Sequence, residues 1–150
     1  MSLEQDIGRL ARTRPFDLLP RDALKLIAFS AQRRTFPAGR PIFDQGEDAD
    51  CAYFILSGGA TLTSYSKGEP QERHVGPGAL IGEMALFAPL ARPASARTNA
   101  ETVVLRIPRE LMMRVLTEYP REAASIRASL AQRTRQLTAE LDAVRQRAHL

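Results

Sequence analysis

The chain has 150 residues, 44% of them hydrophobic and 25% charged, with a formal net charge of +4, which suits one globular domain with its own core and leaves no room for a second, catalytic one. A single cysteine, Cys51, excludes an internal disulfide or an iron–sulfur cluster held by several cysteines of one chain, and His74 and His149, the two histidines, have no metal-ligand spacing. No stretch approaches the roughly 18 consecutive apolar residues of a membrane span, and Met1 to Asp6 lack the regions of a secretory signal, so a cytoplasmic location is expected.

In chain order, Leu3 to Arg12 reads as a short helix, Pro15 to Pro20 as a connector, and Arg21 to Gln32 as a second helix with Leu24, Ile27 and Ala28 on one face. From Arg34 to Ile107, glycine and proline clusters separate short segments rich in β-formers, such as Tyr53 to Leu56, Ala60 to Tyr65 and Thr102 to Ile107. Turn signals at this spacing argue for an antiparallel sandwich or roll, with Lys67-Gly68-Glu69-Pro70 as a hairpin tip. After Pro108, the apolar positions Leu111, Met112, Val115 and Leu116 predict an amphipathic helix ending near Tyr119, and Pro120 is suited to begin another. The expected class is α+β: N-terminal helices over 1–33, β-structure over 34–107, and C-terminal helices over 108–150, all in one domain.

The final helix places Leu130, Thr134, Leu137, Leu141, Val144 and Ala148 at alternating four- and three-residue steps, a heptad-like stripe. Three readings stand: packing on the β-structure of the same chain, pairing with a second chain as a homodimer, or service to a different partner. Reach beyond Thr138 favours pairing. The charge excess is C-terminal, since 12 basic and 12 acidic residues balance up to Leu105 and 9 arginines face 5 acids from Arg106 onward. A solvated helix face explains this, with attraction to nucleic acid or an acidic partner as the alternative.

The stretch Gly82-Glu83-Met84-Ala85-Leu86, followed by Arg92-Pro93-Ala94-Ser95, carries the chemistry. A helix start at Gly82 presents backbone N–H groups to an anion, and glycine lets a ligand approach closely. Arg92 supplies a fork of donors matched to two phosphate oxygens. Glu83 beside a phosphate needs a donor of its own, and a ribose 2′-hydroxyl is one. Met84, Leu86 and Phe87 would form an apolar wall. Singly, Glu83 reads as an ordinary acid of a first helical turn and Arg92 as a surface arginine. Their conjunction favours a nucleotide pocket. Asp50 and Gly46 read as turn formers, Cys51 as a small side chain of the β-structure, and Met112 and Met113 as packing residues.

Ile81-Gly82-Glu83-Met84-Ala85-Leu86 through Arg92-Pro93-Ala94-Ser95-Ala96 resembles the phosphate-binding cassette of the cyclic nucleotide-binding domains of catabolite activators, protein kinase A regulatory subunits and cyclic nucleotide-gated channels. Gln45 to Gly58 resembles the glycine-rich turn and following strand of that family's β-roll, and Phe36-Pro37-Ala38-Gly39 the turn entering it. The resemblance implies an antiparallel β-roll (jelly roll) flanked by N-terminal helices and by C-terminal helices of which the last is long. It further implies that Glu83 accepts from the ribose, that Arg92 binds the cyclic phosphate, and that the backbone around Gly82, Ala85 and Ser95 completes the cradle. Where some members carry the hydroxyl that favours cGMP, this chain has Pro93, which tilts the expected ligand toward cAMP over cGMP. In dimeric activators the long helix covers the base, and the matching positions are Leu137, an apolar lid, and Thr138, a hydrogen-bond partner for adenine. Arg133 and Arg135 are alternative lid contacts, although a solvent-facing role suits an arginine-rich helix.

Too few residues follow Thr138 for the helix-turn-helix of such activators, so sequence-specific DNA reading is not expected of these 150 residues. The leading reading is a stand-alone receptor without enzymatic activity or cofactor, whose C-terminal helices rearrange on ligand binding and signal to an unknown downstream protein. The alternative is a nucleotide-independent dimerisation or scaffold module with a vestigial pocket.

Overall fold

The computed structural model describes residues 2–66 and 68–133. Helix α1 (Leu3–Leu10) starts at a capping box in which Ser2 and Gln5 exchange side chain-to-backbone hydrogen bonds. A 3₁₀ turn (Phe16–Leu18) leads to α2 (Arg21–Ser30), which buries Ala23, Leu24, Ile27 and Ala28. The helix stops two residues before the expected Gln32, because Gln32 opens a strand and pairs with Arg106.

Among the described residues ten short strands follow: β1 (Gln32–Phe36), β2 (Pro41–Phe43), β3 (Asp48–Ala49), β4 (Cys51–Ser57), β5 (Ala60–Ser66), β6 (Glu69–Val75), β7 (Leu80–Ile81), β8 (Leu90–Ala91), β9 (Ser95–Thr98) and β10 (Thr102–Pro108). They form two four-stranded sheets in the orders β1-β10-β4-β7 and β2-β9-β5-β6, with a two-stranded β3-β8 ladder, and every pairing is antiparallel. The β5–β6 hairpin closes with Ser66 opposite Glu69 and Tyr65 opposite Pro70, so Glu69 and Pro70 of the expected tip belong to strand β6 and Gly68 to the turn. Helix α3 (Arg109–Glu118) follows β10, and residues 120–133 form a further helix, α4. This is the α+β arrangement of antiparallel sheets and flanking helices expected from the sequence. No helix among the described residues is long and apolar enough to cross a membrane.

Strand β4 separates two cores. Cys51, Tyr53 and Ile55 face the interior of the roll with Phe43, Ile81, Ala96 and Val104. Ala52, Phe54 and Leu56 face the opposite way, against Ile7, Leu10, Ile27, Leu111, Met112, Val115 and Ile126 of the four helices. Period-two alternation thus buries both faces of one strand, which is why Cys51 to Leu56 is apolar throughout. Leu130, the first residue of the heptad-like stripe, packs against the helix-side core. Thr134, Leu137, Leu141, Val144 and Ala148 lie outside the described residues.

Arg109 joins α3 to the cassette. Its Nε donates to the Ala85 carbonyl at 2.7 Å, its Nη2 to the Ala49 carbonyl, and its backbone N–H to the Asp50 carbonyl at 2.7 Å. The position of the Glu83–Leu86 segment is therefore tied to the start of the C-terminal helices.

Candidate ligand-binding site

A cavity of about 290 Å³ opens between the cassette and the inner face of β5–β6. Of the residues expected there, Gly82, Glu83, Met84, Ala85, Arg92, Pro93 and Ala94 all line it. Ser95 does not: its hydroxyl accepts from the Gln45 N–H at 2.8 Å, joining the cassette to the glycine turn. Leu137, Thr138 and Arg135 lie outside the described residues.

The expected helix start is a single 3₁₀ turn, Glu83–Leu86, entered through Gly82 in the left-handed conformation (φ 74°, ψ 29°). Four residues sum too few peptide dipoles for a macrodipole, so charge at this site comes from side chains rather than from a helix end. The Ala85 N–H is spent inside the turn, donating to the Gly82 carbonyl at 3.1 Å. The turn also corrects the expected apolar wall. Leu86 and Phe87 pack into the helix-side core, and the cavity is walled instead by Leu62, Leu80, Ile81, Leu90 and the half-exposed Met84.

Arg92 dominates the site. It is 4% exposed, yet none of the carboxylates among the described residues pairs with it. Its guanidinium carbon lies 4.2 Å from the Phe43 ring centroid and 5.9 Å from that of Tyr53, and its Nη2 lies 3.4 Å from Cys51 Sγ. Nη1 is buried with no hydrogen-bond partner among the described residues. Removing a guanidinium from water costs several kcal/mol, and cation–π contacts return about 0.5–2 kcal/mol of it. The remaining donor is therefore one that an anionic acceptor in the cavity would satisfy. Gly82 makes room for it, since a Cβ at that position would collide with Nη1.

The main chain of Arg92 is equally fixed. Its N–H donates to the Glu47 carbonyl at 2.8 Å, and its carbonyl accepts from the Gly46 N–H at 2.9 Å. The glycine turn is thus the mount of the arginine, whereas Gly46 and Asp50 do not line the cavity. Beneath the guanidinium, burial pushes the Tyr53 phenol above its ordinary value, with the neighbouring Cys51 thiol adding to the shift and Arg106 opposing it.

Glu83 is engaged from a distance: Arg133 of α4 donates to its Oε1 through Nη1. Arg133 is half exposed, as suits an arginine on this helix, and also takes a place on the cavity lining. Five lining residues, Phe43, Leu62, Arg73, Leu80 and Leu90, escape sequence reasoning. Leu62 sits opposite Ala96 on one side and Arg73 on the other, so Arg73 shares the inner face of the hairpin and stands at the cavity mouth. The period-two pattern places Leu62 inward with Ala60, but finding Arg73 required the pairing register. No group of three metal-ligating side chains occurs among the described residues.

Residues 33–119 match the family model described as cyclic nucleotide-binding domain. Over 114 residues the chain is 39% identical to the cyclic AMP receptor protein of Thermus thermophilus, which covers 74% of this chain and 52% of that protein. It is 31% identical over 124 residues to lysophospholipase nte1 of Aspergillus terreus, covering 80% of this chain and 8% of that protein. Among solved structures, a cyclic nucleotide-binding-like protein from Brucella abortus is 40% identical with a TM-score of 0.68, covering 75% of this chain and 98% of that one. The chain therefore spans about half the length of the first relative and a small part of the second. With the family model matching more than half of its residues, the chain belongs to the cyclic nucleotide-binding domain family.

Proposed function

We propose that this chain is a receptor for a cyclic nucleotide, cAMP ahead of cGMP, and that it signals by rearranging its C-terminal helices. The observation that carries the reading is Arg92, a buried guanidinium that, among the described residues, has no carboxylate partner and no acceptor for its Nη1. A cyclic phosphodiester brings one negative charge and two exocyclic oxygens to such a donor. Glu83 would accept from the ribose 2′-hydroxyl, and the apolar wall around Leu62 and Leu80 would hold the base. Pro93 brings no hydroxyl, and the Thermus thermophilus relative is named a cyclic AMP receptor, which together favour cAMP. Arg109 and Arg133 connect the cassette to α3 and α4, a route from ligand to helices. The output would be altered binding of a protein partner or of a second copy of the chain.

The test is calorimetry with cAMP and cGMP on the parent and on Arg92→Ala. Loss of the charge-assisted contact should weaken cAMP at least tenfold, from about 1.5–3 kcal/mol. Equal affinity in the two proteins refutes the assignment of Arg92. The competing reading, a nucleotide-independent dimerisation module, draws on the Glu83 carboxylate being already paired with Arg133. Ligand that binds the native state must raise apparent stability, so no thermal shift at millimolar cAMP or cGMP would favour that module.

A further inference from the structure

A second cavity, of about 560 Å³, lies on the outer face of the sheet β2-β9-β5-β6. Leu62 lines the cavity that holds Arg92, whereas its neighbours Thr61 and Thr63, turned the other way by the pleat, line the outer one. Strand register sets the side chains around them in two rows. Thr61 lies between Arg97 of β9 and His74 of β6, and Thr63 lies between Ser95 and Glu72 of the same two strands. Two short threonines along the middle strand, flanked by the longer Arg97, His74 and Glu72, leave the hollow. Asp44 lines it beside the Ser95 end of the second row, where the next residue, Gln45, donates its N–H to the Ser95 hydroxyl.

The rows differ in charge. One carries Arg97 and the imidazole of His74, the other Glu72 with Asp44 at its end, and two residues of extended strand, about 7 Å, separate them. None of these four side chains forms an ion pair among the described residues. Arg97 gives Nη1 to the Gly39 carbonyl at 2.9 Å, and His74 Nδ1 lies 2.9 Å from the Thr61 hydroxyl. Both side chains are thereby held in place. With Thr61 donating to Nδ1, the imidazole keeps its proton on Nε2 as a donor.

We propose that this outer groove binds a small zwitterion, a free amino acid, with its carboxylate on the Arg97–His74 row and its ammonium on the Glu72–Asp44 row. An anion alone would meet two carboxylates, and a cation alone would meet the guanidinium. A ligand with both charges, laid across the rows, is attracted at each end. The guanidinium fork matches a carboxylate, and an ammonium brings three donors for Asp44, Glu72 and the Thr63 hydroxyl. Tyr65, exposed and two residues beyond Thr63 on the same face, adds a ring to the ammonium side. The site is independent of the nucleotide reading, since the opposite face of the sheet supplies it.

The experiment titrates the isotope-labelled 150-residue chain with L-serine and with γ-aminobutyrate, and with acetate and methylammonium as the separate halves, following backbone amide signals by NMR. One zwitterion or both should move the signals of Thr61, Thr63, Ser95 and Asn99 saturably while those of Gly82 and Glu83 stay in place. Each half should bind more weakly by at least about fivefold. Arg97→Gln and Glu72→Gln, at exposed positions, should each weaken the zwitterion about two- to fivefold, whereas acetate should bind Glu72→Gln better than the parent. That opposite response separates lost charge from lost fold. No saturable shift with either zwitterion, a half that binds as well as the whole, or shifts centred on Gly82 and Glu83 would each overturn the proposal.

Discussion

Gly82→Ala tests the close approach on which the site depends. The backbone there has φ 74° and ψ 29°, a conformation that costs an L-residue about 1 kcal/mol. The new methyl would also meet Arg92: Nη1 falls far inside contact distance of a Cβ, with Cζ at 3.5 Å, so the guanidinium must withdraw by about 1 Å. Such a shift removes most of a charge-assisted hydrogen bond to phosphate, roughly 1.5–3 kcal/mol, or ten- to hundredfold in affinity. Gly39 separates the two effects. Its φ is 75°, but a Cβ there has nothing within 4 Å. Both alanine variants should lose about 2–4 °C of melting temperature for each kcal/mol of backbone strain, while only Gly82→Ala should lose cAMP in calorimetry. Equal cAMP affinity in the two variants would refute the argument that Gly82 exists to seat Arg92.

Glu83→Gln keeps the shape of the side chain and removes its charge, so its cAMP to 2′-deoxy-cAMP affinity ratio should fall toward one; calorimetry returning the parent ratio would remove Glu83 from ribose recognition. Arg73 presents only donors at the cavity mouth. Guanine offers two adjacent acceptors, N7 and O6, where adenine offers N7 beside a donor. Arg73→Leu should therefore shift selectivity toward cAMP by about three- to tenfold relative to the parent, and an unchanged cAMP to cGMP ratio would show that Arg73 does not face the base. Tyr53, its phenol raised chiefly by burial, should matter at alkaline pH. The unfolded phenol ionises near pH 10 and the folded one above it, so the stability its neutral form contributes is present below about pH 10 and is lost as pH rises through the folded value. Melting curves from pH 8 to 11 should fall less steeply for Tyr53→Phe than for the parent, and parallel curves would exclude this source.

Local signals made much of the fold legible. The spacing of Leu111, Met112, Val115 and Leu116 predicts one buried stripe, and all four are buried on α3. Pro120 does open a helix, and Gly68 lies in the turn between β5 and β6. What local pattern could not give was direction. The apolar run from Cys51 to Leu56 announces a strand, but only its place between the roll and the helices explains why both faces are apolar. Gln32, read as helical, became strand because Arg106 waits opposite it, a pairing with a residue 74 positions away.

The site divides in the same manner. Gly82, Glu83, Met84, Arg92, Pro93 and Ala94 lie in one short stretch, so their chemistry can be read together. Phe43, Leu62, Arg73 and Arg133 reach the cavity from β2, β5, β6 and α4, and register or helix docking decides their arrival. The family resemblance names Arg133 as an alternative lid contact, but its sequence neighbourhood does not show that it would meet Glu83. Among the described residues, Arg133 is the arginine that meets Glu83.

The glycine-rich turn upstream and the cassette looked like two separate blocks in the sequence, and the fold makes them one device. Gly46 and Glu47 hold the main chain of Arg92, Gln45 holds Ser95, and Phe43, just before that turn, lies against the guanidinium. An arginine side chain free in solution would lose up to about 2 kcal/mol of rotamer entropy on being ordered by a ligand. Here the protein has ordered it in advance, so the phosphate of the proposed ligand would not have to meet that cost. Fixing a charge in advance also has a consequence for stability, because the guanidinium is desolvated with Nη1 still lacking an acceptor. On the proposed reading, ligand affinity and ligand-induced stabilisation would have a common origin in the burial of Arg92 ahead of an anion.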